Sequence, residues 1–161
     1  MQMRKARGFS LIELLIVIAI ILVIAAIAIP GFLRARIDSN ESAAVAALGT
    51  LNTAQASYSE TYPTVGFATT LGALGGTSCT PPDPMAGACL VDTVLAGGTR
   101  SGYSFVLGGA VGTPNASYQI IATPSSWNYT GVKYFCSFQD AVVRYSTNTI
   151  TSCDYTVSPL N

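Results

Sequence analysis

The chain has 161 residues, half of them hydrophobic and only a tenth charged, with eight basic residues balancing eight acidic ones and no histidine. That balance, without a basic stripe beyond the first few residues, gives no electrostatic support to nucleic-acid binding. The absence of imidazole removes the usual general base, the serine and cysteine triads, and histidine as a metal ligand.

The first eight residues carry Arg4, Lys5 and Arg7 and end in Gly8. A run of Leu, Ile, Val and Ala follows from Phe9 to Ile29. As a helix it covers roughly 30 Å, enough to cross a bilayer core. A secretory signal has a shorter apolar core and a small-residue cleavage site after it, and no A-x-A site ends this run. The basic leader places the amino terminus in the cytoplasm and the remainder outside. One acid, Glu13, stands near the start of the run. A lone carboxylate in hydrocarbon costs roughly 2.5–3.5 kcal/mol on insertion scales, so it is a functional candidate.

The run Gly8-Phe9-Ser10-Leu11-Ile12-Glu13 behind a short basic leader resembles the processing site of the type IV pilin superfamily, which includes type IV pilins and type II secretion pseudopilins. The likeness continues through Leu14-Leu15-Ile16-Val17 to Ala28-Ile29-Pro30 and Phe32-Leu33-Arg34-Ala35-Arg36. It implies cleavage after Gly8 by a prepilin peptidase and N-methylation of the new terminus, Phe9. It also implies pairing of Glu13 with the amino group of Phe9 on a neighbouring subunit. The residues agree: a buried acid needs a cation, and the span has no Lys or Arg of its own. An amine made by cleavage four residues away supplies one. Such a pair acts as a register device, since an offset neighbour leaves both groups unpaired.

Pro30 either ends or kinks the helix, and Gly31 weakens it further. A kink is expected, because helical periodicity resumes at once. Ala19, Ala25, Ala26 and Ala28 are small enough to let neighbouring helices approach closely. Beyond Pro30 the pattern turns amphipathic, with Ala44, Leu48, Leu51 and Tyr58 on one face and Ala47 and Ala54 beside them. Arg34, Arg36, Asp38, Asn40 and Glu41 read as a polar belt outside the bilayer. One helix is thus expected from about Phe9 to about Ser59, halted at Tyr62-Pro63.

Residues 64–101 are rich in Gly, Pro, Thr and Ser and hold Cys79 and Cys89, with short helical pieces expected at Leu71–Leu74 and Leu90–Leu95. Four cysteines allow three pairings; proximity favours Cys79–Cys89 and Cys136–Cys153, formed in an oxidising compartment, with a zinc site as the alternative. Alternation then predicts strands carrying Tyr103, Phe105 and Leu107, then Tyr118, Ile120 and Ala122 up to Pro124. Two more are expected at Lys133–Cys136 and Ala141–Tyr145, and a turn at Asn148. The fold class is α+β: a long amino-terminal helix, membrane-spanning in its first half, packed on a small antiparallel sheet. The organisation expected is a leader over residues 1–8, a transmembrane or filament-core helix over 9–30, and a globular domain over 31–161. That domain divides into the helix 31–60, a disulfide loop 63–101, and sheet and carboxy-terminal loop over 102–161.

No catalytic constellation is evident. Gly97-Gly98-Thr99-Arg100 and Gly108-Gly109 lack the Lys-Ser/Thr of a P-loop. Asp83, Asp92, Asp140 and Asp154 are scattered and read as solvated loop residues. The dense acidic carboxy-terminal run of calcium-binding major pseudopilins is missing, which favours a pilin and implies no cofactor or metal. Asn40, Asn115 and Asn128 each open an N-glycosylation pattern, and Asp38 precedes the first by two residues.

What the resemblance implies is a structural subunit of a type IV pilus, not an enzyme. It would be a single-pass inner-membrane protein before assembly and part of a cell-surface filament afterwards. Its partners would be other copies, other pilins, the prepilin peptidase/methyltransferase, an inner-membrane platform protein and an assembly ATPase. Motility, adhesion and DNA uptake are equally compatible. The alternatives are a periplasmic pseudopilin of type II secretion and, from another class, a monomeric signal-anchored binding domain.

Overall fold

The structure, a computed structural model, describes residues 9–76 and 87–160. Contacts divide the chain into two compact units, Met1–Ala35 and Arg36–Asn161. Secondary structure runs in the order α1 (Leu11–Thr61), α2 (Leu71–Leu74), α3 (Thr93–Ala96), β1 (Thr99–Arg100), β2 (Tyr103–Gly108), β3 (Gln119–Pro124), β4 (Tyr134–Phe138) and β5 (Arg144–Ser146). The leader, and with it Gly8, lies outside the described residues, as does Cys79.

α1 continues through Pro30 and stops at Thr61, just before Tyr62-Pro63. The proline therefore does not end the helix, as expected from the periodicity beyond it. In the second unit the stripe Ala44, Ala47, Leu48, Leu51, Ala54 and Tyr58 is buried and joins Tyr103, Phe105, Tyr118, Ile120, Ala122 and Phe135 of the sheet in one core. Alanines at three positions of the stripe keep the helix surface thin, so large sheet residues can reach it. Fully burying a leucine such as Leu48 or Leu51 stabilises the fold by about 1.5–3 kcal/mol.

The sheet is a five-stranded antiparallel meander in the order β1-β2-β3-β4-β5. Its register pairs Phe105 with Ala122 and Ala122 with Phe135, which lines these core residues across three strands. Tyr103 and Ile120 are also buried, as their alternation predicts.

Two polar side chains on the buried face of α1 fix the helix to the domain. Gln55, 0 % exposed, donates to the Ala68 carbonyl (3.1 Å) and accepts from the Ala68 amide (2.8 Å), completing both halves of its amide. Asn52 accepts from the Tyr118 hydroxyl (3.2 Å) and the Ser137 hydroxyl (2.8 Å) and donates to the Ala141 carbonyl (3.1 Å). Burial pushes the Tyr118 hydroxyl up to about 12, aided by the charge of Asp140. These bonds satisfy groups that would otherwise be buried without partners.

Several sequence expectations need correction. Glu41 is not part of a solvated belt: it is only 5 % exposed, accepting from the Val132 amide (3.0 Å) and the Lys133 ammonium (2.8 Å). The helical piece expected at Leu90–Leu95 is instead α3, Thr93–Ala96. Asp92 moves its start: as N-cap it accepts from the amides of Val94 (3.0 Å) and Leu95 (2.9 Å). Its other oxygen meets Arg100 at 2.9 Å, tying α3 to β1, a strand outside those expected from alternation.

The strand expected at Ala141–Tyr145 is shorter, Arg144–Ser146. The Asp140 carboxylate accepts from the Val142 amide (3.0 Å), and Ala141 takes a left-handed φ of 58°, so residues 140–142 form a turn. Asp140 also holds the Arg144 guanidinium through both oxygens, at 3.1 and 2.6 Å. Arg144 lies over the Phe138 ring, 4.3 Å from its centre, with the Tyr155 ring at 5.4 Å. Asp92, Asp140 and Asp154 are therefore structural acids; Asp154 accepts from the Thr156 amide at 2.8 Å.

The Cys136–Cys153 disulfide forms, with Cα atoms 5.9 Å apart. It encloses β5 and fastens the carboxy-terminal loop to β4. The final residues add further ties, since the Tyr145 amide donates to the Ser158 carbonyl (3.0 Å) and the Leu160 amide to the Val143 carbonyl (2.9 Å). Cys89 is also disulfide-bonded. The expected Cys79–Cys89 pairing lies outside the described residues.

Candidate functional site: the amino-terminal apolar segment

From Phe9 to Leu33 the large hydrophobic side chains are solvent-exposed in the isolated chain, Phe9 by 79 % and Ile18 by 45 %. α1 contains a window long and apolar enough to cross a membrane, with none of it buried against the protein. So much apolar surface needs a cover of lipid or other helices, because soluble monomers rarely leave patches beyond a few hundred Å² open. The globular unit, by contrast, spends its hydrophobic residues on a closed core.

At the head of this segment the structure assigns Glu13 a partner within the chain. The Ser10 amide donates to Glu13 Oε2 at 2.9 Å, and the Leu14 amide donates to the Ser10 carbonyl at 3.3 Å. Ser10 precedes the first residue of α1 and Glu13 lies three positions later, so this is the carboxylate half of a capping box. The carboxylate satisfies one of the amides that a helix start leaves open and faces the positive end of the helix dipole. Sequence reasoning about Glu13 missed this contact, although Ser-x-x-Glu before an apolar run is its signal. The other oxygen, Oε1, makes no hydrogen bond among the described residues.

The remaining candidates behave differently. Phe9 stands exposed just ahead of the helix, and Pro30 and Gly31 lie inside it. No group of three or more metal-ligating side chains occurs among the described residues. Of the glycosylation patterns, Asn40 donates its amide to the Thr130 carbonyl (3.0 Å) and Asn115 to that of Phe67 (3.1 Å). Asn128 sits exposed in a turn, with φ 63°.

A family model described as the prokaryotic N-terminal methylation motif matches residues 3–29. Over 54 residues the chain is 52 % identical to the type IV major pilin protein PilA of Myxococcus xanthus, covering 34 % of this chain and 24 % of that protein. Over 46 residues it is 56 % identical to the type IV wide pilus major component PilA4 of Thermus thermophilus, covering 29 % of this chain and 35 % of that one. The matches thus span about a quarter and a third of the length of these relatives. No solved structure matches. Through the methylation motif at its head and these partial matches, the chain is similar to type IV major pilins.

Proposed function

We propose that the chain is a structural subunit of a type IV pilus, cut after Gly8, N-methylated at Phe9, and polymerised through its apolar helix into a surface filament. The observation that carries this reading is the uncovered apolar segment headed by a single acid, one of whose oxygens has no hydrogen bond among the described residues. Before cleavage the segment suits a bilayer, with the globular domain outside. Cleavage removes Arg4, Lys5 and Arg7 and creates an amine on Phe9. Glu13 Oε2 serves its own helix start, which leaves Oε1 to accept from the amine of an adjoining copy. An unpaired charge in hydrocarbon is costly and a paired one much less so, so the charge selects register as well as partner. Peptidase, platform protein and assembly ATPase act as separate partners in this reading.

Electron microscopy of sheared surface material, with mass spectrometry of the subunit, tests it. The expected result is long fibres whose subunit starts at methylated Phe9. Processed protein confined to the envelope would replace the pilus by a secretion pseudopilus. A Met1 terminus on the mature protein would leave only a signal-anchored domain. Gly8→Val should abolish processing, and Glu13→Ala should leave processing largely intact while impairing assembly; normal fibres from the latter would remove the pairing role.

A further inference from the structure

The basic residues of the unit Arg36–Asn161 are Arg36, Arg100, Lys133 and Arg144. The last three are ion-paired with Asp92, Glu41 and Asp140, whereas Arg36 makes no ion pair among the described residues. Arg36 is exposed, and the residues three and four positions further along α1, Ser39 and Asn40, are uncharged. In the same unit Asp38, Glu41 and Val45 recur at three- and four-residue spacing and line a cleft of about 340 Å³ together with Lys133, Phe135 and Leu160. Glu41 is nearly buried and holds the Lys133 ammonium at 2.8 Å, while Asp38 is exposed and belongs to no ion pair among the described residues. The hydrogen bond to Glu41 raises Lys133 above its ordinary range, and the charge of Asp38 adds to this. Two carboxylates thus face one ammonium above apolar walls. Arg36 stands two residues before Asp38, rather more than half a turn at 3.6 residues per turn, so it leaves α1 on the side away from the cleft.

Resting on the filament reading above, we propose that Arg36 of one copy of this chain enters the Asp38–Glu41 cleft of a neighbouring copy. The guanidinium balances the surplus carboxylate at Asp38, and the aliphatic stem lies against Val45, Phe135 and Leu160. Charge complementarity selects this occupant. Drawing Lys133 or Arg144 away would strand Glu41 or Asp140 in a partly buried place, which costs more than an exposed pair returns. Arg36 is given up at no such loss. The cation and the cleft stand on different sides of one helix, so the contact is heterologous. A copy that fills its neighbour's cleft still offers its own cleft to the next. Repeated without closure, such a contact yields an open filament instead of a two-fold dimer. Both halves belong to the globular unit, so the contact is separate from the pairing at Glu13.

The test uses full-length chains assembled into fibres. Arg36→Lys keeps the charge and an aliphatic stem and introduces a primary amine, which a carbodiimide joins directly to a carboxylate in ion-pair contact. Isotopically light and heavy chains are mixed, so that mass spectrometry separates links between copies from links within one. The expected result is a covalent dimer joining position 36 of one copy to Asp38 or Glu41 of another. A link from position 36 within its own copy, or to a carboxylate outside the cleft, would overturn the proposal. So would fibres with no link from position 36. Charge exchange covers the case in which the lysine variant does not assemble. Arg36→Asp and Asp38→Arg should each lower the ratio of polymerised to free subunit by about two- to fivefold, and the two together should restore it. Unchanged ratios in both single variants, or a double exchange no better than either, would overturn the contact while leaving the filament standing. Absence of fibres from the unaltered chain would instead refute the filament reading itself, and this contact with it.

Discussion

One helix, α1, is used in two opposite ways. Between Ala44 and Tyr58 its apolar face is closed by the sheet, with Asn52 and Gln55 bonding out of the same face. Between Leu11 and Leu33 apolar side chains surround the helix and none of that window is buried. The difference lies in the pattern. A stripe at three- and four-residue spacing can be satisfied within one chain, whereas a helix apolar all round needs a bilayer or other helices. The same kind of substitution should therefore have unrelated effects in the two stretches. The single tryptophan, Trp127, stacked on Tyr134 at 5.4 Å, reports on the globular unit by fluorescence.

The largest effect is expected at Leu48. Leu48→Ala empties a fully buried site and should destabilise the globular unit by about 2–5 kcal/mol, read as a lower urea midpoint for the full chain in detergent. Next comes Asp140. Asp140→Asn should cost about 1.5–3 kcal/mol, because it weakens the charge-assisted bonds to the buried Arg144. Burial raises the carboxyl of Asp140, but the bonds from Arg144 and from the Val142 amide outweigh it and hold the group below the ordinary 3.8. Its stabilisation is thus complete above that value and disappears as pH falls through the lower, folded-state value. The urea midpoint should drop over that acid range in the unaltered chain and more weakly in the variant; parallel curves would show that Asp140 contributes nothing. Asn52→Ala should cost about 1–3 kcal/mol by removing a partner from the Tyr118 and Ser137 hydroxyls and the Ala141 carbonyl.

The ease of reading the sequence follows the same division. The apolar span, the stripe from Ala44 to Tyr58, the strands around Phe105 and Ile120, and the helix Leu71–Leu74 depend on periodicity, which is local information. What escaped depends on partners distant in the chain or on one turn. Glu41 looked solvated because its partners, Val132 and Lys133, are about ninety positions away. Residues 141–143 looked like strand because their side chains are apolar, yet the Asp140 carboxylate turns the backbone there. β1 is two residues long and exists through its pairing with β2. At the candidate site, the motif from Gly8 to Glu13 was legible; the Ser10–Glu13 contact is local too and carries the Ser-x-x-Glu signal, but a carboxylate at the head of an apolar run equally suits an external cation.

The smallest effect separates the two stretches most sharply. Ile18→Ala removes as much aliphatic side chain as Leu48→Ala does, on the same helix. Ile18 is exposed in the isolated chain, and truncating an exposed side chain away from special features changes stability by no more than about 0.5 kcal/mol. In detergent, the Trp127 unfolding midpoint should therefore coincide with that of the unaltered chain. A shift comparable to that of Leu48→Ala would mean that the apolar segment supports the globular unit, and the division of labour along α1 would be wrong. An unmoved midpoint with a reduced yield of fibres would locate the side chain's partner outside its own chain. Ile18 would then contribute nothing to folding and would matter only where other copies surround it.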